Sequence, residues 1–253
     1  MVAGLDYAFA SSQKVGGLAS GANEPGKNAL FLNDGVYREG MVGMAVSGNV
    51  VVDTVVAQGC RPIGKPLRVT NCQGNILLEL DGEPAIKVLK GILEELKPQD
   101  QELARNSLFL GVVMDEFKSE FHAGDFLIRN LVGIVPEAGA LVVGELLRQE
   151  RTVQFHLRDA ATSSDDLRLM LKSYSDGNSG RVHPQGALLF SCLGRGKYLY
   201  GRKNHDSESF REHVGEVPLA GFFCNGEIGP VGGTTFLHGY TSSFGLFRAK
   251  ESV

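Results

Sequence analysis

Glycine interrupts the apolar runs of this chain at intervals of about ten residues, and this spacing constrains the fold more than any other feature of the sequence. Glycine accounts for 33 of the 253 residues, nearly twice its usual share of ~7%. Short apolar runs bounded by glycine are typical of strands joined by tight turns, and strands joined so tightly are antiparallel. The pattern predicts an α+β fold, built mainly of antiparallel sheets in two packed lobes with a few covering helices.

Residues 15–69 are predicted to be β structure throughout, because their short runs are rich in valine and leucine. Gly, Asn or Pro separates these runs, two of which cover residues 28–34 and 35–48. At the junction of these two runs, Asp34-Gly35 is suited to the positive φ angles of a type I′ turn. The sequence therefore predicts a β-hairpin at this point.

A helix is predicted between Pro84 and Leu96, where apolar residues recur at the i, i+3, i+4, i+7 spacing of an amphipathic helix. Its apolar stripe consists of Ile86, Val88, Leu89, Ile92, Leu93 and Leu96. This helix is expected to mark the passage between the two lobes. Further helices are expected after a cap at residues 163–166 and over residues 207–213. The turn-rich stretch 175–186 is expected to be a mobile loop tip.

Composition and charge exclude several classes of protein. Hydrophobic residues make up 43% of the chain and charged residues 21%, which is near the globular average and argues against disorder. The net charge is −4 and the 25 Lys and Arg residues are dispersed, so nucleic acid is not expected as a partner. No stretch approaches the ~20 apolar residues that span a bilayer, and the opening residues lack the pattern of a secretory signal. We therefore expect a cytoplasmic protein with no membrane partner.

The cysteines and histidines show no metal-binding spacing. Cys60, Cys72, Cys192 and Cys224 form no C-x-x-C pair, and the histidines lack zinc-finger or HExxH spacing. The Gly-rich stretch at residues 194–197 also fails the Walker A and dinucleotide-binding patterns. We expect buried thiols in an intracellular protein, with no metal and no cofactor.

Two predicted strand ends carry the same pattern of residues. Each has an apolar run, then a cysteine, then a charged residue framed by glycines: Cys192 precedes Arg195, and Cys224 precedes Glu227. If these strands are neighbours, both turns lie at one sheet edge and the two charges meet around a glycine-lined hollow. Glycine lets the backbone approach a ligand, arginine supplies a fork for a carboxylate or phosphate, and glutamate accepts an ammonium or hydroxyl group. This combination suits an amino-acid-like zwitterion; the alternative is that Arg195 and Glu227 simply pair with each other.

The cysteines raise two further alternatives. Cys60 and Arg61 follow another predicted strand, in a turn restrained by Pro62, and would either extend the same hollow or cap an unrelated edge. Cys192 or Cys224 would be a catalytic thiolate if an arginine or histidine activated it. No cysteine-protease or G-x-S-x-G signature is present, so catalysis is the less favoured alternative.

The order of several segments resembles the FIST family, named for F-box and intracellular signal transduction proteins. The segments, in chain order, are VGGLAS, VVVDTVVAQGCRPIG, GNILLELDGEPA, FLIRNLVGI, TVQFHLRD, LLFSCLGRG, GFFCNGEIGPVGG and FLHGYTSSFGLFR. Each piece is weak by itself, whereas the ordered set is highly specific and covers about residues 15–248.

This resemblance implies that residues 1–82 are the last part of an N-terminal FIST domain and that residues 83–253 are a C-terminal FIST domain. It implies a small-ligand-binding sensory module of intracellular signal transduction, with an amino-acid-like molecule as ligand. The alternatives are a protein-recognition adaptor, such as the substrate-recruiting part of an F-box ubiquitin ligase, and a cysteine-dependent enzyme. The candidate ligand-binding residues, which fall in the family's most recognisable motifs, are Cys60, Arg61, Cys192, Arg195, Asn225 and Glu227.

The chain departs from the family at its start, because only about fourteen residues precede VGGLAS. We therefore expect an incomplete N-terminal lobe, in a fragment or in a rebuilt domain, with sheet edges that would pair with another chain. The resemblance implies signalling or ubiquitin-ligase proteins as partners, in addition to the small molecule.

Overall fold

A computed structural model describes residues 1–22, 24–178 and 182–250 of the chain. Helices make up 27% and strands 37% of the residues, and all but one of the strand pairs in the described ranges are antiparallel. The predicted α+β class with mainly antiparallel sheets is confirmed.

The elements follow the glycine-bounded runs of the sequence over most of the chain. The helices are α1 (Val2–Ala8), α2 (Ala85–Glu95), α3 (Pro98–Ser107), α4 (Ala160–Gly177), α5 (Lys197–Tyr200) and α6 (His205–Val214). The strands are β1 (Gly16–Gly17), β2 (Leu30–Leu32), β3 (Gly35–Tyr37), β4 (Val51–Ala57), β5 (Arg61–Gln73), β6 (Ile76–Leu80), β7 (Glu83–Pro84), β8 (Leu108–Val113), β9 (Phe126–Val135), β10 (Ala140–Val143), β11 (Thr152–Leu157), β12 (Gly186–Cys192), β13 (Leu219–Cys224), β14 (Glu227–Val231), β15 (Thr234–His238) and β16 (Ser242–Arg248).

The chain divides into two compact units. One, which we call the continuous unit, consists of residues 59–164; the other, the divided unit, joins residues 1–58 to residues 165–253. Helix α2, expected at a passage between lobes, lies inside the continuous unit.

The continuous unit is built around a sheet that closes on itself. Its strands follow the order β10-β9-β8-β11-β5-β6-β7, and β10 also pairs with β6, which joins six strands into a ring. Val153, Phe155 and Leu157 alternate along β11 and are fully buried in the core, because alternate side chains of a strand point to the same face. The apolar stripe of α2, including Ile86 and Leu93, packs against this core, which is why its spacing predicted the helix.

The divided unit contains a four-stranded sheet of order β13-β12-β16-β4 and a three-stranded sheet of order β1-β14-β15. Leu167 and Leu171 of α4 and Phe210 of α6 share a core with Phe244 of β16. The rings of Phe210 and Phe244 are stacked with their centres 5.5 Å apart. This core holds both helices against the larger sheet, and β12, one of its two central strands, leads directly to Arg195.

The predicted hairpin is present, with its turn shifted by one residue. Strand β2 pairs with β3 and Leu32 faces Gly35, so the turn residues are Asn33 and Asp34 and not Asp34 and Gly35. Asn33 has a φ of 53°, a left-handed conformation that asparagine tolerates better than most residues. Residues 41–47 form no strand, so the prediction of β structure throughout residues 15–69 is wrong there.

Helix α4 begins before the predicted cap at residues 163–166. Its first turn is capped by Asp159, whose carboxylate accepts hydrogen bonds from the Thr162 backbone N–H at 2.7 Å and from the Thr162 hydroxyl at 3.0 Å. Ser163 instead donates to the Gly59 carbonyl at 2.7 Å. The loop predicted at residues 175–186 is also shorter at its start, because α4 continues to Gly177; residues 179–181 lie outside the described ranges.

Three helices were not apparent from the apolar pattern: α1, α3 and α5. Pro98 follows the end of α2 and also begins α3, a position that proline favours because the first helical N–H groups lack intrahelical acceptors. Within the described ranges, none of the helices combines the length and apolar character that crossing a membrane requires.

Candidate ligand-binding site

The strand ends that lead to Arg195 and Glu227 lie side by side, which is the condition on which the binding hypothesis from the sequence depended. Strands β12 and β13 are parallel, and their register places Cys192 beside Cys224. Parallel neighbours end at the same sheet edge, and the Leu193 N–H donates to the Cys224 carbonyl there at 2.9 Å. The two glycine-framed turns therefore adjoin within the divided unit.

Arg195 takes Asp206, and not Glu227, as its ion-pair partner. Its Nε and Nη2 donate to the two carboxylate oxygens of Asp206 at 2.8 and 3.2 Å. The Arg195 side chain is fully buried, and Asp206 lies in the first turn of α6, where the helix dipole favours a negative charge. The short helix α6 thus supplies the counter-ion, and the alternative in which Arg195 simply pairs with Glu227 is wrong.

Asp206 is the centre of a buried hydrogen-bond network. The hydroxyl groups of Ser191 and Ser242 donate to its Oδ2 at 3.0 and 2.7 Å, and His205 Nδ1 lies 2.9 Å from its Oδ1. Burial by itself would raise the pKa of Asp206, but hydrogen bonds with His205 and Arg195 and the charge of Arg195 hold that pKa well below its usual range. Asp206 is therefore ionised throughout the physiological pH range.

One nitrogen of Arg195 remains available for a ligand. Its Nη1 is buried and has no hydrogen-bond partner among the described residues. Arg195 Cζ lies 5.5 Å from the centre of the Tyr200 ring, which in turn stacks on the His205 imidazole with the ring centres 3.5 Å apart. A buried donor without an acceptor costs about 1–3 kcal/mol, and more when it is charged. Nη1 is thus the atom of this network best suited to an anionic oxygen.

Glu227 is fully buried at the start of β14. Its Oε2 accepts hydrogen bonds from the Thr241 backbone N–H at 3.1 Å and from the Thr241 hydroxyl at 2.6 Å. Burial raises the pKa of Glu227 to about 7, although the bonds from Thr241 and the charge of Arg195 act in the opposite direction. A cationic group beside this carboxyl would favour its ionised form.

The surroundings of Cys224 disfavour its thiolate. Its Sγ lies 3.6 Å from Glu227 Oε1 and 3.7 Å from the Ser191 carbonyl oxygen, so the thiol proton has acceptors. Burial and the neighbouring Glu227 raise the pKa of the Cys224 thiol to about 12. A catalytic cysteine needs an electropositive, partly exposed setting. At neutral pH the free Cys224 side chain is therefore a thiol and not a thiolate.

The amino-terminal strand β1 covers the two strand ends. Gly17 is the register partner of Glu227, and a Cβ at Gly17 would lie 2.7 Å from Cys224 Sγ, so only glycine fits. The Asn225 backbone N–H donates to Ser20 Oγ at 2.9 Å, while the Asn225 side chain is exposed. The VGGLAS segment thus packs on the candidate site, a contact that the sequence analysis did not predict.

Cys60 and Arg61 belong to the continuous unit. Cys60 is buried. Arg61 donates from Nε to Asp159 at 3.2 Å and from Nη2 to Asp100 at 2.5 Å. Burial lowers the pKa of Arg61, but the two carboxylates outweigh it and raise that pKa. Arg61 therefore has two acidic partners of its own.

Sequence reasoning missed the partners of the two charged groups. Asp206 pairs with Arg195 and is bonded by Ser191, His205 and Ser242, whereas Thr241 bonds to Glu227. Two of them lie in the C-terminal run where small polar and apolar residues alternate, which predicts a strand with one polar face. Asp206 carries a weaker signal, an acidic residue in the first turn of a predicted helix. Within the described ranges, no group of three or more His, Cys, Asp or Glu side chains is placed to hold a metal ion.

Proteins from several organisms are similar in sequence to this chain. An uncharacterized protein of Mycobacterium tuberculosis strain H37Rv is 43% identical over 233 residues, which are 92% of this chain and 60% of that protein. An F-box/LRR-repeat protein of Arabidopsis thaliana is 25% identical over 265 residues, covering 89% of this chain and 48% of that protein. F-box only protein 22 of Homo sapiens is 44% identical over 48 residues, or 19% of this chain and 12% of that protein. The chain thus spans 60% or less of the length of each of these relatives.

Two family models cover most of the sequence. The FIST N domain matches residues 1–83 and the FIST C domain matches residues 85–230. FIST domains are associated with signal transduction. The chain belongs to the FIST family.

Proposed function

We propose that this chain is a small-ligand-binding sensory module of intracellular signal transduction, with an amino-acid-like molecule as its ligand. The association of FIST domains with signal transduction supports the broad role. The ligand class rests on the side chains around Arg195 in the divided unit. The observation that carries it is the buried Nη1 of Arg195, which has no acceptor among the described residues.

A ligand carboxylate supplies the acceptor that Nη1 lacks. Asp206 occupies Nε and Nη2 of Arg195 and neutralises its charge, so the ligand meets one charge-assisted donor and not a complete fork. A hydrogen bond to a charged group contributes about 1.5–3 kcal/mol. This arrangement favours a modest affinity, which suits the sensing of an abundant metabolite.

Glu227 supplies the partner for the other end of the zwitterion. Its pKa of about 7 means that an ammonium group would draw it into the ionised form, with release of a proton. Cys192 and Asn225, at the ends of the two strands that lead to these charges, line the remaining part of the proposed site.

The proposal is tested by thermal denaturation of the full chain with L-amino acids at millimolar concentration. A ligand that binds the native state raises Tm, and a concentration of 100 times Kd stabilises by about 2.7 kcal/mol. Two analogues of each active compound separate the two ends: a carboxamide, which removes the anion for Arg195, and a deamino acid, which removes the cation for Glu227. We expect both analogues to give smaller shifts than the parent amino acid.

Matched variants test whether the ligand-induced shift in Tm arises at the site formed by Arg195 and Glu227. Arg195→Lys keeps the charge but removes Nη1, and Glu227→Gln keeps the shape but removes the charge, so both are expected to reduce the shift. Arg61→Lys, in the continuous unit, is the control and is expected to retain it. A folded wild type that responds to no compound, or an Arg195→Lys protein that responds as the wild type does, contradicts the proposal.

Exposed apolar side chains on an edge strand favour a second function, recognition of another protein. Strand β13 is an edge of its sheet, and its Phe222 and Phe223 are 47% and 53% exposed. Leu18 and Leu237, also exposed, flank Gly226 just beyond the strand. An uncharged edge strand pairs readily with an extended segment of another chain. The similarity to two F-box proteins supports an adaptor role of this kind.

A positive charge introduced on the edge strand β13 distinguishes protein recognition from small-ligand binding. Phe223→Lys is expected to abolish capture of a protein partner in a pull-down, while the Tm shift caused by a small ligand persists. Phe117→Lys, at a side chain that is 99% exposed in the continuous unit, is the control and should capture the partner normally. Equal capture by wild type and Phe223→Lys would exclude the β13 edge as the recognition surface.

A further inference from the structure

Cys192 and Cys224 are register partners on the parallel strands β12 and β13, and side-by-side residues of neighbouring strands project to the same face of a sheet. Neighbouring strands lie about 4.8 Å apart, within the ~4.4–6.8 Å range of Cα separations that a disulfide spans. The two thiols also interact electrostatically, as groups in proximity do. The backbone therefore holds both cysteines where a cross-strand disulfide can form.

The two thiols have different surroundings. Cys192 interacts with the buried Arg195 guanidinium, and a cation favours a thiolate. Cys192 also keeps 7% of its surface exposed, whereas Cys224 keeps none. Cys224 retains its proton and directs it to Glu227 Oε1 at 3.6 Å. Cys192 is thus placed to meet a small oxidant first, and Cys224 to react second.

We infer that Cys192 and Cys224 form an oxidisable pair, which a small hydroperoxide converts to a disulfide. In the first step the Cys192 thiolate attacks the peroxide, the O–O bond breaks, Cys192 becomes a sulfenic acid, and the leaving oxygen takes up a proton. In the second step Cys224 attacks the Cys192 sulfur, and the S–O bond breaks. The proton of Cys224 passes by way of Glu227 to the leaving hydroxide, which departs as water. Overall, two electrons move from the two thiols to the peroxide, which is reduced to one alcohol and one water, or to two waters when the oxidant is hydrogen peroxide.

Oxidation also changes the neighbouring hydrogen bonds. A disulfide removes the thiol proton that Cys224 donates to Glu227, and it links the ends of the two strands just before Arg195 and Asn225. The redox state of the pair would therefore alter the Glu227 environment. The inference does not depend on the identity or the existence of an amino-acid-like ligand, because the pairing follows from strand register alone.

The test treats the full chain with hydrogen peroxide, blocks the remaining thiols with N-ethylmaleimide, and maps the peptides by mass spectrometry without reduction. We expect a peptide pair joined through Cys192 and Cys224 that dithiothreitol separates. This link should form ahead of any oxidation of Cys72, although Cys72 is the most exposed of the four cysteines. Cys192→Ser and Cys224→Ser should each abolish the link, and Cys72→Ser should leave it unchanged.

A second measurement needs no variant. Phenylarsine oxide binds tightly only where two thiols lie close together, so it should protect Cys192 and Cys224 of the reduced wild type, but not Cys72, from N-ethylmaleimide. Three results would overturn the inference: absence of the link in protein that stays folded, formation of the link only in urea, or no protection by the arsenical. Conversion of Cys192 to a sulfinic acid without any link would also overturn it.

Discussion

Asp206 neutralises a fully buried arginine and organises the polar groups around it. It accepts hydrogen bonds from Arg195 and from the hydroxyl groups of Ser191 and Ser242. A buried ion pair of this kind is stable only while both partners are present, because removal of one partner leaves the other charge in a medium of low polarity.

We expect Asp206→Asn to lower the free energy of unfolding by about 3–5 kcal/mol, since it leaves Arg195 buried without a counter-ion. Urea denaturation monitored by circular dichroism measures the change. The control is Asp165→Asn, which removes a partner of Arg168 from an ion pair on the surface of α4; such pairs contribute at most about 1 kcal/mol. Equal losses in the two variants would show that the buried pair has no special role.

Glu227 makes stability depend on pH near neutrality. Its pKa is raised from 4.5 to about 7 in the folded protein, so between these values the native state binds a proton that the unfolded state releases. The stability that Glu227 contributes is therefore fully present below pH 4.5 and is lost as the pH rises through 7. At 1.36 kcal/mol per pKa unit, the loss is about 3 kcal/mol.

The prediction is that Glu227→Gln removes this dependence. Between pH 5 and pH 8, the wild type should lose about 2–3 kcal/mol more than the variant in parallel urea titrations. The comparison cancels the titration of the other groups, which the two proteins share. Parallel curves for wild type and variant over this interval would refute a raised pKa for Glu227.

At the scale of elements, the site depends on how closely β12 and β13 approach each other. Gly221 of β13 has a φ of 154° and is the register partner of Leu189 on β12. A Cβ at Gly221 would lie 1.8 Å from the Leu189 carbonyl oxygen. Because that oxygen belongs to the backbone, the two strands themselves would have to separate.

We expect Gly221→Ala to destabilise the divided unit by about 3 kcal/mol or more, measured as the change in the free energy of unfolding. The matched control is Gly186→Ala on β12, where the nearest atom to the new Cβ is the Pro218 carbonyl oxygen at 4.0 Å. That variant should stay within about 0.5 kcal/mol of the wild type. Similar values for the two variants would mean that the strands tolerate separation.

At the scale of the whole molecule, the continuous unit has what an independent domain needs. Residues 59–164 are uninterrupted in sequence, six of their strands form a closed ring, and their core consists of side chains from this range alone. Strands in a closed ring have few unpaired edges, and a length of about 100 residues is typical for a single domain.

The prediction is that residues 59–164, expressed alone, unfold cooperatively in urea and give the circular dichroism of a folded β-rich protein. Residues 165–250 alone are expected not to fold, because β16 would lose its partner β4, which lies at Val51–Ala57. A non-cooperative 59–164 fragment would show that the ring of strands needs the rest of the chain.

Much of the secondary structure follows from local pattern. The apolar stripe between Ile86 and Leu96 marks α2 because one face of that helix packs on the core, and the hairpin of β2 and β3 follows from short-range turn chemistry. Helix α3 escaped prediction because its sequence is largely polar, and its start depends on Pro98. The first residue of α4 was also not predicted correctly. Asp159 and the residues at 163–166 are all of types that cap helices, so the sequence alone does not show which of them acts as the cap.

The candidate site was predictable only in part. The repeated strand endings pointed to Arg195 and Glu227, and the register of β12 and β13 confirms that the two strands are neighbours. The pairing of Arg195 with Asp206 was not predictable. The turn between them contains Gly196 and Gly201, and no local pattern specifies how it places α6 relative to Arg195.

The amino-acid sequence by itself therefore determined the α+β class, most of the strands and the family, since these depend on local periodicity and on the order of motifs. Tertiary structure alone decided which charges are partners, that Gly17 covers Cys224, and that Cys192 and Cys224 lie side by side. The physical reason is the difference in sequence separation over which the two kinds of interaction act. Periodicity acts over a few residues, whereas an ion pair or a strand register depends on where the folded backbone places groups that are distant in the chain.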